Sequence, residues 1–113
     1  MIRIIVISER KKDREKISNI LSSQNDFEIV GLGSNTYDAL KYAMDLRPDI
    51  EILDLGQNDA ASLEIIRPVK RNSPLTALIV LGSRYKNGNA SRAFKAGASG
   101  YILKENDMDR LTT

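Results

Sequence analysis

Ile50-Glu51-Ile52-Leu53-Asp54 is a short apolar run closed by a carboxylate, and Tyr101-Ile102-Leu103-Lys104 repeats the pattern closed by an ammonium. Continuous apolar runs of this length fit strands buried on both faces, as in a parallel sheet. The C-terminal ends of such strands line one edge, where open α/β folds place their ligand sites. A carboxylate at one end and an ammonium at another define a candidate site for an anionic group.

Outward from this pair, apolar strands alternate with helical patterns. Ile2–Ile7 reads as a nearly continuous β-branched strand and Lys11–Ser22 as a helix with Ile17, Ile20 and Leu21 on one side. Residues 27–31 read as a second strand. Asn35 is placed to cap a helix over 37–46, with Asp38 three residues on and Leu40, Ala43 and Met44 facing inward. Pro48 ends that helix before the strand at 50–53. A third helix spans 63–70, where Pro68 removes a backbone donor and predicts a kink or a shortening. A strand over 75–81, a small-residue helix over 90–96 stopped by Gly97, and the strand at 101–103 follow. Asn106 then caps a last helix whose only inward candidates are Met108 and Leu111. It is too short to cover its side of a sheet, which implies a piece of something longer or a frayed end. Alternating strands and helices joined by right-handed crossovers give a doubly wound α/β sheet.

The 113 residues suit one domain that buries about two-thirds of its unfolded surface. No apolar run approaches the ~20 residues of a membrane span, and Ile2–Ile7 is too short for a signal-peptide core. Cysteine and histidine are both absent, which excludes disulfides, thiol catalysis and zinc sites of the usual kind; any metal is a hard cation held by oxygen. The net charge is only +2. Arg10, Lys11, Lys12, Arg14 and Lys16 crowd one segment, but Asp13 and Glu15 interleave with them and no aromatic stands near. The segment reads as a solvated helix face rather than a nucleic-acid patch.

The segments Arg47-Pro48-Asp49-Ile50-Glu51-Ile52-Leu53-Asp54-Leu55 and Lys95-Ala96-Gly97-Ala98-Ser99-Gly100-Tyr101-Ile102-Leu103-Lys104, with Leu63-Glu64-Ile65-Ile66 between them, resemble the receiver domain of two-component response regulators. The likeness is strongest to the LuxR/nitrate-regulator subfamily and runs over the whole chain. It implies one receiver domain over residues 1–113, of flavodoxin-like topology, with five parallel strands in the order 2-1-3-4-5, helices on both faces and a short last helix. It makes Asp54 the acceptor of a phosphoryl group from a kinase phosphohistidine, Lys104 the partner of the phosphoryl oxygens, and Tyr101 the aromatic switch. Asp54 and Lys104 read equally as an inherited structural ion pair, and Tyr101 as a half-buried strand aromatic.

Departures from the family pattern surround this pair. Two acidic residues that usually hold magnesium after the first strand are Ser8 and Glu9 here. Glu9, Asp54 and the backbone carbonyl of Gly56 remain as metal ligands by resemblance. Ser8 carries no charge, and the longer Glu9 misplaces its oxygen, so the magnesium site is expected to be weak or absent. Ser8 itself reads as a helix-capping hydroxyl in preference to a metal ligand. The switch threonine or serine after the fourth strand is Gly82, twenty-two residues before Lys104 as in the subfamily, with Ser83 next on the opposite side of the strand. Gly56-Gln57-Asn58-Asp59 replaces a proline turn, and Arg84 and Lys86 follow Gly82 near the pocket mouth.

Two functions follow from the resemblance. One is an atypical receiver, an interaction module of a cytoplasmic two-component transcription regulator whose phosphorylation at Asp54 is weakened or absent. The other is a phosphorylation-competent receiver served by a histidine kinase. In both, the partner is a histidine kinase or another signalling protein, a homodimer is implied, DNA is reached only through an output domain absent from these residues, and no membrane is involved. A flavin- or nucleotide-binding enzyme of the same topology would need a glycine-bearing phosphate loop where Ser8-Glu9-Arg10-Lys11 stands. No turnover of a diffusible substrate is expected.

Overall fold

The computed structural model describes residues 1–55, 59–82 and 88–104. In chain order its elements are β1 (Ile2–Ile7), α1 (Lys11–Ser22), β2 (Phe27–Gly33), α2 (Thr36–Leu46), β3 (Ile50–Asp54), α3 (Asp59–Glu64), α4 (Ile66–Asn72), β4 (Ala77–Gly82), α5 (Asn89–Ala96) and β5 (Gly100–Leu103). All four strand pairings are parallel, in the order β2-β1-β3-β4-β5. This is the flavodoxin-like, doubly wound arrangement that the strand–helix alternation and the resemblance predict.

Strand alternation divides the core in two. Ile7, Leu53 and Val80 meet Ala39, Ala43, Leu63, Ile66, Val69 and Ala93 of α2 to α5 on one face. Ile4, Val6, Ile52 and Leu81 meet Ile17 and Leu21 of α1 on the other. The same parity places Ser8 and Asp54, each two residues beyond an α1-facing neighbour, on the α1 side of the sheet edge. Gly82, two beyond Val80, falls on the α5 side.

The N-terminus of α2 forms as the sequence predicts: the Asn35 side chain accepts the Asp38 N–H at 2.9 Å, and Asp38 Oδ2 accepts the Ser34 N–H at 2.9 Å. Two otherwise unpaired donors are thereby satisfied. Met44 does not face inward; it is 46% exposed, and Ala39 and Ala43 form the buried ridge. Those small side chains bring α2 close to the sheet, and Met44, a further 100° around the helix, falls outside the contact. The helix ends at Arg47, which adopts a left-handed conformation (φ 42°) immediately before Pro48, since proline disfavours the right-handed α region in the residue before it. Arg3 reaches across from β1 to the carbonyls of Leu46 and Arg47 and ties this end down.

The expected third helix is two pieces, α3 and α4, broken at Ile65. Pro68 has no N–H to donate to the Glu64 carbonyl, and its ring clashes there, so the break falls one turn upstream of the proline. β4 begins at Ala77 and not at Leu75, which is 96% exposed. Thr76 N–H bonds the Ser73 carbonyl in a turn through Pro74, and the Thr76 hydroxyl donates to the Pro48 carbonyl at 2.7 Å. The remaining strand and helix expectations differ only at their ends. The short helix expected after Asn106, with Met108 and Leu111, lies outside the described residues.

Candidate functional site

β1, β3 and β4 end side by side around Asp54, with Ile7 paired to Leu53 and Asp54 to Leu81, and β5 ends beyond β4 on the same edge. Asp54 is 6% exposed. Lys104 Nζ stands 2.8 Å from Asp54 Oδ1, and the Ser8 hydroxyl donates to Asp54 Oδ2 at 2.7 Å. Burial pushes the Asp54 carboxyl above the usual carboxylate range; the hydrogen bonds from Lys104 and Ser8 and the ammonium charge pull the other way without cancelling it, and Asp13 adds to the upward shift. The structure thus brings Asp54 and Lys104 together at the sheet edge.

Ser8 is the correction. It does not cap a helix: α1 starts after Arg10, which makes no side-chain cap. The Ser8 backbone is fixed by its N–H bond to the Gly33 carbonyl and by Arg14, whose guanidinium donates to the Ser8 carbonyl at 2.8 Å and to the Glu9 carbonyl at 3.3 Å. With the backbone held, parity turns the buried hydroxyl toward β3.

An open cavity of about 210 Å³ surrounds the pair, lined by Ser8, Glu9, Arg10, Asp13, Asp54 and Lys104. Asp13 is the residue the sequence reading missed. On a charged helix face it looked solvated, yet its Oδ2 lies 3.9 Å from Lys104 Nζ. Its position in the first turn of α1, directly above the sheet edge where ligand sites lie, is the signal that marks it. Lys104 is thus shared by two carboxylates. Glu9 is exposed and lines the cavity. Gly56, the third expected metal ligand, lies outside the described residues, as do Gln57, Asn58, Ser83, Arg84 and Lys86.

The donor set available to magnesium is poor. Ser8 donates its hydrogen bond to Asp54 Oδ2, and among the described residues no group of three or more acidic side chains is placed to hold a metal ion. Glu9, Asp13 and Asp54 line the cavity from separate segments, and that arrangement does not by itself impose the near-octahedral shell that magnesium demands.

Tyr101 is half-buried and packs against the core on the α5 side. Its ring lies over Gly82. A second carboxylate missed in the sequence is Glu51, fully buried in β3 beside Ile5 and Leu78, with no hydrogen-bond partner for either oxygen among the described residues. Its charge inside an otherwise apolar central strand is the signal.

A family model described as the response regulator receiver domain matches residues 4–113. The response regulator protein VraR of Staphylococcus saprophyticus is 32% identical over 103 residues, covering 91% of this chain and 49% of the relative. VraR of Staphylococcus aureus gives the same identity and coverage. The chain thus spans about half the length of the curated relatives it matches. Among solved structures, a LuxR-family two-component response regulator from Aurantimonas sp. superposes with a TM-score of 0.88 at 22% identity, over 98% of this chain and 79% of the other. The signal receiver domain of the response regulator NarL from Mycobacterium tuberculosis gives 0.85 at 19%, over 97% and 91%. With the matching strand order and the Asp54–Lys104 pair at the sheet edge, the chain belongs to the response regulator receiver domain family.

Proposed function

We propose that the chain is an atypical receiver of a LuxR-type two-component transcription regulator, an interaction module whose conformation is set with weak or no magnesium-dependent phosphorylation at Asp54. The observation that carries this reading is the Ser8–Asp54 hydrogen bond. A second carboxylate at position 8 would repel Asp54 and call for a cation between them. A hydroxyl there donates to Asp54 Oδ2 instead, and the Lys104 ammonium pairs with Oδ1 at 2.8 Å, so protein groups already offset the Asp54 charge at both oxygens. The burial that lifts the Asp54 pKa also lowers the population of the ionised nucleophile.

The module acts through contacts with a histidine kinase or another signalling protein and through self-association, in the cytoplasm; DNA is the business of an output domain outside these residues. It turns over no diffusible substrate.

The second reading, a phosphorylation-competent receiver, is favoured by one observation: Asp13 lines the cavity and restores a negative charge that Ser8 lacks. Asp54 would then take the phosphoryl group, Lys104 would neutralise the charge that develops, and Glu9 would be the remaining side-chain ligand for magnesium. Positioning and charge stabilisation are what phosphoryl transfer demands.

Incubation with phosphoramidate and magnesium, read by intact-protein mass spectrometry, separates the two. The atypical reading expects a small minority of acyl phosphate. Near-complete modification that disappears in Asp54→Asn would contradict it.

A further inference from the structure

We infer that Gly82 is the seat of the Tyr101 ring, a positioning residue that holds this aromatic at the β4 edge of the pocket whether or not Asp54 carries a phosphoryl group. The inference rests on the phosphate-independent reading for its second half and on geometry for its first. Tyr101 pairs with Val80 and Leu103 with Gly82. Tyr101, Val80 and Gly82 therefore share the α5 side of the sheet, and the Tyr101 ring leans along the strand direction onto Gly82, as strand side chains do. A Cβ placed on Gly82 would fall 3.1 Å from Cε2 and 2.5 Å from Cζ of Tyr101, and would overlap its phenol oxygen. Carbon atoms in favourable contact lie about 3.5–4.0 Å apart. The phenol group occupies the volume of a side chain at position 82.

The backbone gives no other reason for glycine. Gly88 and Gly97 have positive φ, at 84° and 120°, and Gly82 does not. Space, not conformation, is what the missing side chain supplies. Gly82 in sequence looks only like a lost hydroxyl. In the structure the loss is what admits the ring. A ring already seated has no vacant site to swing into, so events at Asp54 have little to move.

The test is a double-mutant cycle of Gly82→Ala and Tyr101→Ala, with Tyr101 ring signals followed by NMR of ¹³C-tyrosine protein and assigned through Tyr101→Phe. Gly82→Ala alone is expected to displace the Tyr101 ring signals and to lower the folding equilibrium constant by about tenfold or more, the range of overpacked sites. In the Tyr101→Ala background the same alanine is expected to change it by no more than about threefold, because the obstructing ring is gone. A single variant that fails to fold beside a double variant that folds gives the same answer. Unmoved ring signals in Gly82→Ala, or an equal penalty in both backgrounds, would overturn the seat. The functional reading fails separately: wild-type Tyr101 signals that move with magnesium and beryllofluoride, while the cycle still shows coupling, would leave the seat standing and remove its independence from phosphate.

Discussion

The Ser8 hydroxyl donates to Asp54 Oδ2 at 2.7 Å, so the residue just past β1 serves the buried aspartate that closes β3 as a hydrogen-bond donor. That one contact joins β1 to β3 at the sheet edge. Lys104, on β5's exit, pairs with Asp54 from the other side.

Ser8→Asp reverses the contact from attraction to repulsion. Without magnesium the variant should be less stable than wild type by about 1–2 kcal/mol, the scale of a like-charge pair at a partly screened site. Magnesium should restore that loss, and calorimetric titration should show tighter binding than in wild type. Equal affinities would mean that the reach of Glu9 is the limiting defect.

Glu51 makes stability depend on pH in a defined direction. Burial lifts its carboxyl to about 8 from the ordinary 4.5. The folded state therefore keeps a proton that the unfolded chain releases between those values. The stabilisation is complete below about pH 4.5 and is lost as pH rises through 8, at about 1.4 kcal/mol per pH unit inside the window. Urea unfolding at pH 5, 7 and 9 should show wild type losing stability relative to Glu51→Gln over that range. Glu51→Leu, which removes the buried polar group, should be more stable than wild type at pH 7 by roughly 1–3 kcal/mol. Parallel pH profiles for wild type and Glu51→Gln would refute the assignment.

Lys104→Met keeps the apolar stem and deletes the ammonium. Asp54 then loses its ion pair while it stays buried, and its carboxyl is driven further upward. The loss should be about 1–2 kcal/mol at neutral pH, at the lower end for a charged partner because the Lys104 side chain is 30% exposed. It should shrink in acid, where Asp54 is protonated. Denaturant titrations of the variant at pH 4.5 and 7.5 check both the size and the trend.

Asn35→Ala removes the acceptor of the Asp38 N–H at the start of α2. The expected cost is about 1 kcal/mol. Thermal unfolding of the variant beside wild type measures it.

The strands were legible because they rest on local pattern, and their order followed from the family resemblance. The β-branched runs at 2–7 and 50–53 fit a parallel sheet, and Asp54 ends the second of them as Lys104 ends the run at 101–103. What escaped depends on the rotation or close approach of elements distant in sequence. Whether Ser8 turns toward α1 or toward Asp54 is decided by β1–β3 pairing together with Arg14, and neither is a neighbour effect. The contact of Asp13 with Lys104 depends on the rotational phase of α1 over the sheet edge. The seating of Tyr101 on Gly82 needs the β4–β5 register and the lean of one ring. Met44 was misplaced because helical spacing marks a face but not how closely two alanines let that face approach. Glu51 was visible as a charge in an apolar strand, and its total burial was the missing fact.

Amide NMR of the wild-type domain, titrated with magnesium and then with magnesium plus beryllofluoride, decides between an atypical receiver and a phosphorylation-competent one. An atypical receiver predicts no shifts, or shifts confined to Asp54 and its immediate partners Ser8 and Lys104. Shifts that start at Asp54 and spread through Gly82 and Tyr101 to α5 would contradict the account and establish a working phosphorylation switch.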